Sequence, residues 1–308
     1  MYVRRIAGGV EVLAPAKVNL FLEVLSRRDD GFHEIETVMV PIRLFDTLRF
    51  LDDKTGDLTL RCQWASGLGK QASPQRFTRS SVWERLPEGY DNVAMQAVEL
   101  LRRRAGIHAG ATLELTKRIP SAAGLGGGSS DAAAVLIAAN LAWDLGWPAD
   151  RISRLAGEIG SDVPFFLGAG PALCQGRGEK VRPLTGLGSL DLIVACPPEG
   201  LSAARVYGNC QPAENPRDAG RLIDALRSGN RRLLAEEMFN RLEGPAARLS
   251  QWIAHLADEV AAVGCIAAQM SGSGSSYFGV CHHAGHARKA VQRLKSRGYE
   301  RVYVVRSI

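Results

Sequence analysis

The chain has 308 residues, with 38 Lys and Arg against 32 Asp and Glu, a net charge of +6 and a pI near 9.1. At 46% hydrophobic and 23% charged residues it has the composition of a folded protein of about two domains, which argues against disorder. No apolar run approaches the roughly 18 residues of a membrane span, and the basic start MYVRRIAGGVEVLAPAK has no apolar segment behind it, so a cytoplasmic protein without a secretory leader or a membrane partner is expected.

The first predicted strand covers residues 14–22, with Ala16, Val18, Leu20 and Leu22 on one face at period two and Lys17, Asn19 and Phe21 on the other. A turn at Asp29-Asp30-Gly31 leads to a second apolar run over 35–42. From 61 to 89 the pattern dissolves. Gly67, Gly69, Ser73, Pro74, Pro87 and Gly89 alternate there with Lys70, Arg76, Arg79 and Arg85, which reads as a solvated loop, an irregular hairpin or a nucleic-acid arm. Asp91 is a good N-cap for a helix whose apolar face is Ala94, Ala97, Val98 and Leu101. A strand at 112–116 runs into a glycine cluster. An Ala-rich helix then continues to Leu145, with Ser129 or Ser130 as its cap and Gly146 as its stop.

Pro183, Gly186 and Gly188 precede a strand at 192–195 and mark a boundary, giving one domain over 1–184 and another over 185–308. In the second, a helical stripe of Leu249, Trp252, Ile253, Leu256 and Val260 is followed by strands at 265–270 and 277–280, a helix at 287–294 and a strand at 302–305. Strands and helices mixed without steady βαβ alternation predict an α+β architecture in both halves. The cysteines Cys62, Cys174, Cys196, Cys210, Cys265 and Cys281 form no CxxC pair, and His282 and His283 lack a second ligand pair at zinc spacing, so packed, reduced thiols are expected. The basic balance suits nucleic acid and phosphorylated metabolites equally.

The glycine cluster carries the most chemistry. Glycines let backbone N–H groups approach an anion, and a helix starting just behind them adds unpaired N–H groups and a positive dipole end. A dinucleotide fingerprint from Gly124 would need glycine where Ser129 stands, and the only Gly-Lys pair, Gly69-Lys70, is followed by Gln71, which excludes a Walker A loop. The alternative is a glycine-rich turn without a ligand. Gly272-Ser273-Gly274 is a tight hairpin turn, or a second loop over the same ligand. Lys17 is a functional cation or a snorkelling edge-strand lysine. Asp162, in Gly160-Ser161-Asp162-Val163-Pro164, is a functional acid or a turn or cap residue, and His33 after Gly31-Phe32 is by default a loop histidine.

Pro15-Ala16-Lys17-Val18-Asn19-Leu20, the 120–131 loop and the 271–276 loop, in that order, resemble the three motifs of the GHMP kinases. Together with Gly31-Phe32-His33, Asp91-Asn92 and Asp162-Val163-Pro164-Phe165-Phe166, they are similar to the members that phosphorylate 4-diphosphocytidyl-2-C-methyl-D-erythritol in the non-mevalonate isoprenoid pathway. The resemblance spans the chain apart from about 62–88. It implies a ribosomal S5 domain 2-like N-terminal domain, a ferredoxin-like C-terminal domain, ATP, Mg²⁺ and a small-molecule substrate rather than nucleic acid.

In that resemblance Asp162 is the general base, and Lys17 pairs with it and helps neutralise the transferred phosphoryl group. Pro120, Ser121, Ala122, Ala123, Gly124, Leu125, Gly126, Gly127, Gly128, Ser129 and Ser130 hold the ATP phosphates, with Ser130 also a candidate Mg²⁺ ligand. Asn19 and His33 hold the substrate, His33 at the cytosine edge, while Phe32 and Tyr207 sandwich the ring. Gly272, Ser273, Gly274 and Ser275 close near the substrate phosphates. Two departures stand out. The 62–88 stretch is longer than in the family, and Ala203 stands where threonine is frequent, which leaves Ser202 to supply a hydroxyl on that side. The other readings are a GHMP kinase for homoserine or mevalonate, which needs no Gly31-Phe32-His33 element, and a non-catalytic RNA binder using 61–89.

Overall fold

The computed structural model describes residues 1–66 and 86–308, so Gly67, Gly69, Lys70, Ser73, Pro74, Arg76, Arg79 and Arg85 of the predicted loop lie outside the described residues. In chain order the first strands are β1 (Tyr2–Ile6), β2 (Gly9–Arg27), β3 (His33–Asp53) and β4 (Leu58–Trp64). β2 is longer than predicted because it is covered on both faces: Val12, Ala16, Val18 and Leu20 are buried, and so are Glu11, Lys17, Asn19 and Glu23. The pattern does not dissolve at Arg61. Leu58, Leu60, Cys62 and Trp64 alternate with exposed neighbours, and β4 pairs in parallel with β5 (Gly110–Lys117) from Leu58↔Ala111 to Trp64↔Lys117.

The helix α1 (Val93–Ala105) is capped by Asn92, whose side chain accepts from Ala94 N at 3.0 Å; Asp91 instead closes a short 3₁₀ turn. Next come α2 (Gly127–Ala142), α3 (Ala149–Ile159), α4 (Val163–Leu167), β6 (Ala172–Gly176), β7 (Lys180–Pro183) and β8 (Asp191–Ala195). α2 ends before Leu145 because Asp144 takes a left-handed φ of 50° that breaks the helical path. The remainder is α5 (Ala203–Gly208), α6 (Gly220–Ser228), α7 (Arg231–Glu237), β9 (Phe239–Asn240), α8 (Glu243–Leu249), α9 (Gln251–Ala261), β10 (Ala267–Met270), β11 (Tyr277–Val280), α10 (Ala284–Ser296) and β12 (Val302–Arg306). The predicted stripe from Leu249 to Val260 is broken at Ser250, whose hydroxyl accepts from Trp252 N and starts α9 afresh.

The chain forms two compact units. The first comprises Met1–Ala16, Leu44–Pro120 and Gly126–Ala169. In it β1 pairs with the start of β2, the end of β3 pairs with β5 from Thr47↔Thr116 to Asp53↔Gly110, and α1, α3 and α4 pack around the Ala-rich α2. Ala132, Ala133, Ala138 and Ala139 of α2 are fully buried, and their small side chains let the neighbouring helices approach closely.

The second unit comprises Lys17–Arg43, Ser121–Leu125 and Gly170–Ile308. The start of β3 pairs with β6, and β9 lies parallel to β2 at Phe21↔Phe239. A four-stranded sheet of order β10-β11-β8-β12, antiparallel throughout, carries α9 and α10 against a buried cluster of Ile193, Leu256, Val260, Ala287 and Leu294. With β8 first, β10 and β11 as a hairpin and α10 leading to β12, this is the β-α-β-β-α-β order of a ferredoxin-like domain. No helix among the described residues is long and apolar enough to cross a membrane.

Glu23, fully buried on β2, ties this unit together. It accepts from Arg241 at 2.7 and 2.8 Å, from Arg217 N at 3.1 Å and from Val24 N at 2.9 Å. Burial alone would raise its carboxyl, but these donors outweigh burial and hold it below its ordinary value of 4.5. A depressed carboxyl contributes stability above the unfolded value and loses it as pH falls through the folded one. Glu23→Gln should therefore cost about 1–3 kcal/mol at pH 7. In thermal melts the gap to the wild type should close below about pH 4.5, the ordinary value.

Candidate active site

Lys17 is only 3% exposed, which rules out the snorkelling edge-strand reading. Its Nζ donates to Asn19 Oδ1 at 2.6 Å, and Asn19 Nδ2 donates to Thr37 Oγ1 at 2.8 Å, which donates to Phe21 O at 2.6 Å. Gln269 Nε2 reaches Asn19 O at 2.7 Å. Residues two apart on β2 share a face, so the strand period aims the ammonium and the amide in one direction.

The two glycine loops meet Lys17 within the second unit. Lys17 N donates to Leu125 O at 3.0 Å, Ser276 N to Ala123 O at 3.1 Å and Ser271 Oγ to Gly124 O at 2.9 Å. Gly124 has φ +73°, and a Cβ there would lie 1.9 Å from Ser271 O. At Gly272 a Cβ would lie 3.0 Å from Lys17 Nζ and 3.1 Å from Asn19 Oδ1. The 272–274 turn is thus more than a hairpin turn: it rests on the lysine. Of its residues, Ser275 is turned inward, its hydroxyl donating to Glu199 O at 2.5 Å, whereas Ser273 is half-buried.

In the first unit the helix after the glycine cluster starts inside it. Neither Ser129 nor Ser130 caps α2; the cap is Gly126, at φ +71°, which has no side chain to satisfy the first-turn amides. That correction favours anion binding, because those N–H groups remain open to a ligand. Ser130 is fully buried, and its Oγ has no hydrogen-bond partner among the described residues, nor has Asp131 Oδ1.

Beneath the head of α2 lies a charged cluster the sequence reading missed. Lys117, at the end of β5, pairs with both Asp46 and Asp131, and all three are buried. Asp46 Oδ1 also accepts from Arg118 N and Ile119 N. Burial pushes the Asp131 carboxyl up to about 8 against the opposing pull of Lys117, since two acids share one ammonium. The available signal was periodicity: Lys117 falls on the inward face with Leu113 and Leu115, as Lys17 does among buried neighbours on β2.

Asp162, half-buried, is the residue preceding α4, and its side chain caps no amide of that helix, which removes the capping role considered for it. Lys17 belongs to the second unit and Asp162 to the first. His33 opens β3, with its ring 5.3 Å from that of Tyr207 at 32°. Burial, then the charge of Arg27, lower its pKa, so the imidazole is neutral at pH 7 and offers one donor and one acceptor. Phe32 is 48% exposed and carries the Arg177 guanidinium 4.7 Å above its ring. Ser202 caps α5, accepting from Arg205 N at 3.4 Å, beside the exposed Ala203. No group of three or more His, Cys, Asp or Glu among the described residues could hold a metal ion.

Comparison with known proteins gives a consistent result. The family model for the GHMP kinases N terminal domain matches residues 92–170, and that for the GHMP kinases C terminal matches 222–300. A 4-diphosphocytidyl-2-C-methyl-D-erythritol kinase of Pelotomaculum thermopropionicum is 37% identical over 300 residues, covering 97% of this chain and 98% of its own. A crystal structure of 4-(cytidine 5'-diphospho)-2C-methyl-D-erythritol kinase superposes with a TM-score of 0.76 at 33% identity, over 96% of this chain and 98% of that one. A homoserine kinase from Cytophaga hutchinsonii, with a TM-score of 0.65 at 18% identity over 100% and 97% of the two chains, shares the fold alone.

The closeness of Gly124 to Ser271 predicts a direct outcome. Gly124→Ala adds a Cβ where the backbone leaves no room and forces a left-handed φ, so it should destabilise the protein by at least about 2 kcal/mol. Thermal melts and titration with a triphosphate should show both a lower Tm and weakened binding.

Proposed function

The chain belongs to the GHMP kinases, and from that premise we propose that it transfers the γ-phosphoryl group of ATP to the 2-hydroxyl of 4-diphosphocytidyl-2-C-methyl-D-erythritol. The observation that carries the reading is the meeting of Lys17, the Ser121–Leu125 part of the first loop and Gly272 of the second within one compact unit. Three motifs far apart in sequence converge on one lysine, the first loop at its backbone N–H and the second at its ammonium.

In this reading the ATP phosphates rest on the 120–130 loop, on the amides of 121–130 and of the first turn of α2. Neutral amides suit a polyanion whose charge shifts during transfer, because they need not reorganise as the bond breaks. Asp162 acts as general base and accepts the hydrogen bond of the substrate alcohol, and Lys17 meets the charge on the transferred group. The neutral His33 reads the cytosine edge, while Phe32 and Tyr207 flank the ring; stacking of this kind is worth about 1–3 kcal/mol per base. Ser202 and the 272–275 turn serve the substrate side. The proposed division near residue 184 assigns the ATP loop and Asp162 to the N-terminal domain and the second glycine loop to the C-terminal one.

Mg²⁺ supplies charge neutralisation between the phosphates when bound. The orphaned, buried Ser130 Oγ at the head of α2 fits as one oxygen ligand. With no cluster of acids among the described residues to cage the ion, phosphate and water oxygens would make up the remainder.

A coupled ADP-release assay should show turnover of the cytidylated substrate well above that of homoserine or mevalonate; equal turnover of homoserine would move the enzyme to another GHMP activity. Asp162→Asn keeps the shape of the side chain but not its basicity, and should lower kcat at least about a hundredfold with the fold intact. Near-normal turnover would remove Asp162 from the mechanism.

A further inference from the structure

Asn240 and Glu243, neither of which the sequence reading singled out, grip the 271–276 loop from outside. Asn240 is 7% exposed and sits on β9, next to β2 at Leu22↔Asn240. Its Nδ2 donates to Met270 O and to Gly272 O, each at 2.8 Å, and its Oδ1 accepts from Leu242 N at 3.0 Å. Both amide hydrogens are therefore committed to the start of the loop. One turn further on, Glu243 Oε2 accepts from Met270 N at 3.0 Å, and Oε1 accepts from the Tyr277 hydroxyl at 2.8 Å. Met270 is held by both its N–H and its carbonyl, and Tyr277 closes the far end.

The loop needs such a hold. Ser271-Gly272-Ser273-Gly274-Ser275-Ser276 has no apolar side chain to anchor it, and its glycines at φ +56° and +84° give it little stiffness of its own, so its shape depends on the bonds made to it. Yet Gly272 lies against Lys17 Nζ and Asn19 Oδ1 with little room to spare. Hydrogen bonds that involve a carboxylate are about twice as strong as neutral ones, and networks sharing partners reinforce each other.

We propose that Asn240 and Glu243 are positioning residues for phosphoryl transfer: Asn240 fixes the Gly272 carbonyl, Glu243 fixes the Met270 and Tyr277 ends, and together they hold the loop that rests on the Lys17 ammonium. The proposal depends on the reading that Lys17 and this loop serve the transfer. Neither residue touches the reacting atoms. Their effect passes through the loop, so losing them displaces the loop and lowers turnover while the first glycine loop keeps its grip on ATP.

The test uses the full-length enzyme with Asn240→Ala, Glu243→Ala and the milder Glu243→Gln, which retains an amide oxygen as acceptor. Both alanine variants should lose ten- to hundredfold in kcat per folded molecule, with KM for ATP within about threefold of wild type, the split expected of a group that acts only on the transfer. Glu243→Gln should recover part of the loss. Hydrogen exchange at the 271–276 amides should accelerate in both alanine variants. Unchanged exchange there, or kcat that falls only in step with the unfolded fraction, would overturn the proposal. Wild-type enzyme that ignores the cytidylated substrate, while exchange still accelerates in the variants, would instead overturn the functional reading and leave the bracket standing.

Discussion

The second unit depends on two glycines packed tightly against a neighbour. At Gly124 the neighbour is the Ser271 carbonyl, and at Gly272 it is the Lys17 ammonium. The Gly124 contact leaves no room for a Cβ, a Cβ at Gly272 would crowd the lysine end, and each glycine takes a positive φ that it adopts without strain. The hydrogen bonds Ser276 N to Ala123 O, Ser271 Oγ to Gly124 O and Lys17 N to Leu125 O then lock three segments together, two of the three between main-chain groups. Main-chain contacts have few rotamers to lose, so the geometry is preorganised before any ligand arrives.

The two buried lysines show how charge is handled around this frame. Lys117 is enclosed by Asp46 and Asp131, so its charge is spent internally and its effect is mechanical: it fastens the end of β5 to the first turn of α2. Lys17 donates one of its hydrogen bonds to a neutral acceptor, the Asn19 amide oxygen. A neutral acceptor orients an ammonium without cancelling its field, which suits a group proposed to meet the charge on a phosphoryl group.

Much of this was legible in the chain. The intrusion of Lys17 between Ala16 and Val18, the clustering of Gly124, Gly126, Gly127 and Gly128, and the α+β texture all follow from local pattern. Caps were not. Asp91 and Asn92 are both capable N-caps, and propensity does not separate neighbours; only the Asn92 bond to Ala94 N does. The stripe from Leu249 to Val260 keeps helical period straight across the break at Ser250, so periodicity hid the break. Lys117 and Asp46 are 71 residues apart, and Asn240 and Gly272 are 32 apart. No window along the sequence contains both members of either pair.

The error at the head of α2 is the instructive one. Serine is favoured as a cap because its oxygen satisfies an open amide, so Ser129 or Ser130 was the expected choice. The helix begins earlier, at a glycine that can satisfy none. A residue chosen for stability alone would close those amides; one chosen to leave them for a ligand would not. The cost to the helix falls on the same element that Lys117 fastens at Asp131, four residues into the first turns. An open N-terminus held from below by the buried Lys117–Asp131 contact keeps its amides aimed without consuming them, which is what resting a polyphosphate on bare N–H groups requires.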